Sequence, residues 1–198
     1  MVRSDSVLPL DFSESSDTNF ISKGGEEVCE ELDTVLAQTE IEQNLAPYEI
    51  KLPLVELNCC VITNDEKRVF AGSSEGKLAS LSLEDTEQLK VIEENSGIMC
   101  LALEEQNKEL YAGLANGQIK CYDIETLEVV LLIEGHEIWV TMIKIPVGSK
   151  VMFSVSYDGC VKEWDLESYE QKTIQKLKER IWAVDISADL KEVVVGTV

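Results

Sequence analysis

Three turn glycines, Gly76, Gly117 and Gly159, recur at intervals of 41 and 42 residues. Each separates two short apolar-alternating runs, within residues 69–83, 110–124 and 151–166. In the third, the pair Asp158-Gly159 accepts the positive φ of a tight type I′ hairpin, so two strands are expected to hinge there. Cys60, Leu101, Ile143 and Val184 keep the same register, 41, 42 and 41 residues apart, each in a strand-like run ahead of a polar turn. A fourth copy opens at Ile181, and the sequence stops two residues before its turn falls due. No copy contains a helical-period segment, which excludes a βαβ architecture.

A repeat of about 40 to 45 residues made of four short strands, with Gly-His ahead and Trp-Asp at the end, marks a propeller blade. The third copy carries Gly135-His136, Ser156-x-Asp158-Gly159 and Trp164-Asp165. The second keeps Asn116-Gly117 and Tyr122-Asp123, with Ser96-Gly97 in place of Gly-His, and the first has only Glu75-Gly76 and Leu81-Ser82. On these residues, from about Leu54 to Val198, the chain resembles the WD-repeat β-propeller family. The resemblance implies an all-β fold of four-stranded blades in an incomplete ring over residues 53–198. Blades are expected at about 54–96, 97–137 and 138–180, with a partial blade at 181–198. In the second, strands are expected at 99–103, 109–115, 118–124 and 128–133.

Residues 1–52 form an acidic extension. Residues 1–22 are rich in Ser and Asp, a composition that buries too little surface to offset chain entropy, so disorder is expected there. From about 26 to 44, Val28, Leu32, Val35 and Leu36 recur at helical spacing with acids on the other face, which reads as a short amphipathic helix ended by Ala46-Pro47.

The net charge of -21 argues against nucleic acid or an anionic membrane as partner and favours other proteins with basic surfaces. Six cysteines are scattered at apolar strand positions rather than in C-x-x-C pairs, so neither a zinc site nor a disulfide framework is indicated. With no signal peptide and no bilayer-length apolar run, a reducing, cytoplasmic setting is expected, where Cys59, Cys100 and Cys160 act as small buried hydrophobes.

His136, Ser156 and Asp158 are the chain's only nearby trio of His, Ser and acid, and they invite a nucleophile-base-acid assignment. The family resemblance implies instead a structural relay of His136, Ser156, Asp158 and Trp164, in which imidazole, hydroxyl, carboxylate and indole satisfy one another. No phosphate loop, zinc motif or nucleophile elbow accompanies them. Acid pairs such as Glu93-Glu94 and Glu104-Glu105 read as solvated charges. No enzyme activity, metal or cofactor is therefore expected. The family implies a protein-interaction scaffold or adaptor. Trp139, Tyr157 and Trp182 are candidate partner-binding residues on the top face, with Glu137, Glu179 and Asp185 nearby to favour a basic partner. Two other expectations stand beside it: a regulatory fragment of a larger protein whose catalytic domain lies outside this chain, or a structural blade set completed by another chain.

Overall fold

The computed structural model describes residue 54 and residues 56–198, except residues 86 and 188. The expected disordered segment and amphipathic helix lie outside the described residues.

Among the described residues the regular structure is all strand. β1 (Leu57–Ile62), β2 (Arg68–Ser73), β3 (Lys77–Ser82) and β4 (Leu89–Glu93) form one sheet. β5 (Ile98–Glu104), β6 (Glu109–Leu114), β7 (Gln118–Asp123) and β8 (Val129–Glu134) form the second. β9 (Val140–Lys144), β10 (Val151–Ser156), β11 (Cys160–Asp165) and β12 (Gln171–Lys176) form the third, and β13 (Ile181–Ile186) pairs with β14 (Val193–Thr197). Each four-stranded sheet is an antiparallel meander in chain order. The first strands β1, β5, β9 and β13 pack successively on one another, so the sheets form an open set of propeller blades. No helix among the described residues is long and apolar enough to cross a membrane.

The middle strands are buried on both faces. β6 buries Tyr111 on one side, with Cys121, Val140, Met152 and Trp164, and Leu110, Ala112 and Leu114 on the other, with Phe70, Leu78 and Ile98. Successive side chains point to opposite faces of a strand, so odd and even positions serve two different neighbours. What the sequence shows as alternation therefore assigns residues to one neighbouring blade or the other, not to inside or outside. Burying each large side chain contributes about 1.5 to 3 kcal/mol, so the blades hold one another in place.

The hairpin at Asp158 differs from the expected type I′ turn. The loop is Tyr157, Asp158 and Gly159; the Gly159 N–H donates to the Ser156 carbonyl at 3.1 Å, and only Gly159 takes positive φ, at 79°. This is the three-residue hairpin with a glycine bulge. Asp158 stays at negative φ because its carboxylate is engaged in the turn, accepting the Cys160 N–H at 2.8 Å. The acid of Trp164-Asp165 has a local task as well. One oxygen of Asp165 accepts the Glu167 and Ser168 N–H groups at 2.9 and 2.7 Å, and Asp123 does the same for Glu125 and Thr126 in the preceding blade. These N–H groups hold both carboxyls below the usual range.

Candidate functional site

β8 ends at Glu134, and Gly135 leads directly to His136, which lies against the turn between β10 and β11. His136 Nδ1 meets Asp158 Oδ2 at 3.0 Å, and Nε2 meets Ser154 Oγ at 2.7 Å. The Trp164 indole N–H donates to the same Ser154 oxygen at 2.8 Å. Asp158 also accepts the Glu137 N–H at 3.1 Å. An indole only donates, so it takes a lone pair of Ser154; the Ser154 proton then goes to Nε2, and the Nδ1–H goes to Asp158. Donors and acceptors match along the whole chain from Trp164 to Asp158.

The serine in this chain is Ser154, not Ser156. Both face the same side of β10, which is why the residue pattern does not separate them. Across the sheet Met152 pairs with Trp164, so Ser154 is one same-face step from the indole and Ser156 is two steps away, about 13 Å along the strand. Ser156 instead donates to the Ile138 carbonyl at 3.1 Å and accepts the Asp158 N–H at 3.0 Å.

With Ser154 in place, the group has the connectivity of a nucleophile-base-acid triad but not its accessibility. Ser154 is fully buried, the His136 side chain is 0% exposed and the Trp164 N–H already holds the Ser154 oxygen. A nucleophile must reach a substrate carbonyl with an oxyanion site beside it, and this one faces only protein. The arrangement is built for mutual satisfaction of buried polar groups.

The blade before it holds a different solution at the same place. Glu94 stands 42 residues before His136 and Tyr122 stands 42 before Trp164. With Ala112 where Ser154 would be, the Glu94 carboxylate reaches the Tyr122 hydroxyl directly, at 2.8 Å, and pairs with Lys120. The Glu94 side chain is 7% exposed, and Glu104 is buried while accepting the Gln106 and Asn107 N–H groups, so neither is the solvated charge expected from sequence. In the first blade Ala71 and Leu81 occupy the serine and tryptophan positions, both buried and apolar. The 42-residue offset was the available signal for Glu94 and Tyr122.

Burial drives the His136 pKa down, against the pull of Asp158, so the imidazole is neutral in the fold. Burial pushes Asp158 up, but the N–H groups of Cys160, Glu137 and His136 more than offset it and leave the carboxyl lowered. A histidine lowered below its unfolded value of about 6.5 makes the unfolded state bind more protons in the interval between the two, so stability rises with pH there. The contribution should be full above about pH 6.5, fall as the pH drops towards the lowered folded value and level off below it. Denaturant midpoints measured from about pH 7.5 to 5 should therefore decline for the parent and flatten for His136→Gln; parallel declines would show that another group titrates.

Four of the thiols, Cys59, Cys100, Cys121 and Cys160, are held in the protonated, unreactive form. Burial pushes Cys59 and Cys121 up to about 12 and raises Cys100 and Cys160, while Cys60 is exposed.

At the same end of the sheets, Trp139 immediately precedes β9, Tyr157 lies in the β10–β11 loop and Trp182 is the second residue of β13. Trp139 stacks on Tyr157 with ring centroids 5.2 Å apart and planes at 16°, and Trp182 meets Tyr157 edge-on at 4.7 Å and 87°. Trp139 is 41% and Trp182 44% exposed, so neither is a core residue. The Arg180 guanidinium lies 5.4 Å from the Tyr157 ring centre, a cation that sequence reasoning missed. Glu137 and Glu179 are exposed, but Asp185 is engaged by Lys144 at 3.1 Å.

Residues 127–165 match the family described as WD domain, G-beta repeat. They run from Leu127 through the His136 relay to Trp164-Asp165, that is, from the last strand of one blade through the third strand of the next. Two solved structures have the same fold. One is a structure of U3-55K, with a TM-score of 0.63 and 22% identity over 69% of this chain and 44% of that one. The other is of the RRP9 WD40 repeats, with a TM-score of 0.63 and 22% identity over 69% of this chain and 43% of that one. This chain thus spans less than half the length of either. No curated protein matches it in sequence.

Proposed function

We propose that these WD-repeat blades serve as a protein-interaction scaffold or adaptor, taking a partner where Trp139, Tyr157 and Trp182 share one surface. The observation that carries this is the contiguous, half-exposed aromatic group with Arg180 packed on it. Aromatic and Arg side chains supply a large part of the energy at interfaces, because they bury much surface with few rotamers to fix. Glu137, Glu179 and the net charge of -21 favour a partner with a basic surface over nucleic acid or an anionic membrane. The buried relay gives the blade its rigidity and no chemical step, so the protein acts by binding, without enzyme activity or cofactor, in the cytoplasm.

Capture of a protein partner from native lysate, followed by titration of the purified partner, tests this. Trp182→Ala and Tyr157→Ala should each weaken binding by about 2 kcal/mol, roughly thirtyfold, with the parent's circular dichroism and melting curve retained. Unchanged affinity in both well-folded variants would place the interface elsewhere.

A second reading has one observation in its favour. Leu57 and Ile62 on β1 and Val194 on β14 are 53%, 51% and 61% exposed, although β1 and β14 are the strands that begin and end the set. Apolar blade faces of this kind are ordinarily covered by further blades, whether of a longer protein with a catalytic domain or of another chain.

A further inference from the structure

The fourth strands β4, β8 and β12 each present an outer edge that has no strand partner among the described residues. Such an edge is a template for pairing, and proteins ordinarily blunt it with charged side chains, above all Lys. β12 does this, with the sequence Gln-Lys-Thr-Ile-Gln-Lys exposed throughout. β4 carries Lys90 between Leu89 and Val91, and its ammonium is held by the Thr126 carbonyl. β8 has no such device: Val129 to Ile133 are five apolar residues in a row, with Val129, Val130 and Leu132 49%, 57% and 48% exposed.

Acids bracket the run. Glu128 and Glu134 stand at its two ends, both exposed and neither with an ionic partner among the described residues; the Glu134 carboxylate only accepts the Gln118 amide at 2.8 Å. Pairing of β8 with β8 of a second copy would have to be antiparallel to close as a dimer, and the register that overlaps the whole apolar run sets Glu128 of one chain beside Glu134 of the other at both ends. Like charges directly opposed across a sheet destabilise it, and two bodies of net charge -21 repel at longer range. The edge is therefore selective against its own copy and for a strand of the opposite pattern.

We propose that β8 is a β-addition site for an extended segment of a partner protein, apolar and β-branched in its centre with Lys or Arg at both ends. Backbone hydrogen bonds along the strand would supply affinity, Val130 and Leu132 would pack against alternate side chains of the guest, and Glu128 and Glu134 would fix its ends. The site is independent of the aromatic surface.

The test uses the full chain and three fluorescein-labelled peptides with the same Val-Thr-Val-Ile-Val centre: one with paired Lys at each end, one with paired Glu, and one with Lys ends and a central Pro. Fluorescence anisotropy should show saturable binding of the first, at least about tenfold weaker binding of the other two, and loss of affinity as salt is raised. Val130→Lys combined with Leu132→Lys should abolish the signal with unchanged circular dichroism, and Trp182→Ala should leave it intact. Equal binding of the Lys-ended and Pro-containing peptides, no binding at all, or loss with Trp182→Ala would overturn the proposal. So would a concentration-dependent dimer in light scattering that the double Lys variant abolishes, because the edge would then belong to a second copy.

Discussion

Gly117→Ala should unfold the second blade's hairpin outright or lower stability by about 3 kcal/mol or more. Gly117 has φ of 90°, where an L side chain costs roughly 1 to 2 kcal/mol. A Cβ there would also lie 2.1 Å from the His136 carbonyl oxygen, and that carbonyl cannot retreat freely, because the His136 N–H is bonded to the Gly117 carbonyl at 2.8 Å and the His136 ring is locked in the relay. The turn glycine thus serves two ends: it permits the bulge, and it lets the chain entering the next blade pass within contact of the turn. Gly148→Ala is the control. It has φ of 72° with nothing within 4 Å of the added Cβ, so only the conformational cost of about 1 kcal/mol applies. Thermal unfolding should separate the two by roughly 4 to 8 °C at about 2 to 4 °C per kcal/mol. Equal losses at Gly117 and Gly148 would mean that the close approach to His136 carries no energy.

Ser154→Ala is expected to cost about 2 to 5 kcal/mol, more than Ser156→Ala at about 1 kcal/mol, although the two serines are equally buried. Removing the Ser154 hydroxyl leaves the Trp164 N–H and His136 Nε2 without partners inside the protein, and each orphaned group costs about 1 to 3 kcal/mol. Ser156 serves only the Ile138 carbonyl and the Asp158 N–H, and Ile138 is 43% exposed, so solvent lies close to the groups it would leave. Adding Trp164→Phe to Ser154→Ala should then cost less than the sum of the separate changes, because the second substitution removes a donor already orphaned. Urea titrations of the four proteins decide it. Additivity within about 0.5 kcal/mol, or a larger loss at Ser156, would remove Ser154 from the relay.

The three complete blades solve one packing problem in three ways. At Ala71 and Leu81 the positions are buried and apolar; at Ala112 and Tyr122, Glu94 and Lys120 supply an ion pair; at Ser154 and Trp164, His136 and Asp158 complete a neutral-to-anionic chain. Sequence comparison by motif sees only the third. The other two follow once the 42-residue offset is applied to each member of the relay, because the backbone places position 94 where position 136 stands one blade later: both donate their N–H to the carbonyl of a turn glycine, Gly76 and Gly117. A replacement at one member is accommodated by its neighbours, so Glu94 belongs with Tyr122 as His136 belongs with Trp164.

Local chemistry was legible in the residues alone. Gly76, Gly117 and Gly159 mark the hairpins because only glycine takes that φ without cost, and the strands of the second blade fall within one residue of the positions expected from the turns. The grouping of Trp139, Tyr157 and Trp182 followed from their places at successive strand entries and one turn. Contacts that cross from one sheet to the next were decided by the tertiary structure. Ser154 and Ser156 share a face of β10, and only the registration of Met152 with Trp164 brings one hydroxyl to the indole and leaves the other at the turn. Glu94 reads as a surface acid until Tyr122 and Lys120, 28 and 26 residues on, close over it. Arg180 acquires its place on Tyr157 in the same way, from the packing of β13 beside β9. Periodicity reports the torsions and facing of neighbouring residues, whereas the partner of a buried polar group depends on distances set by how two sheets stack, and those distances are not written in the order of the residues.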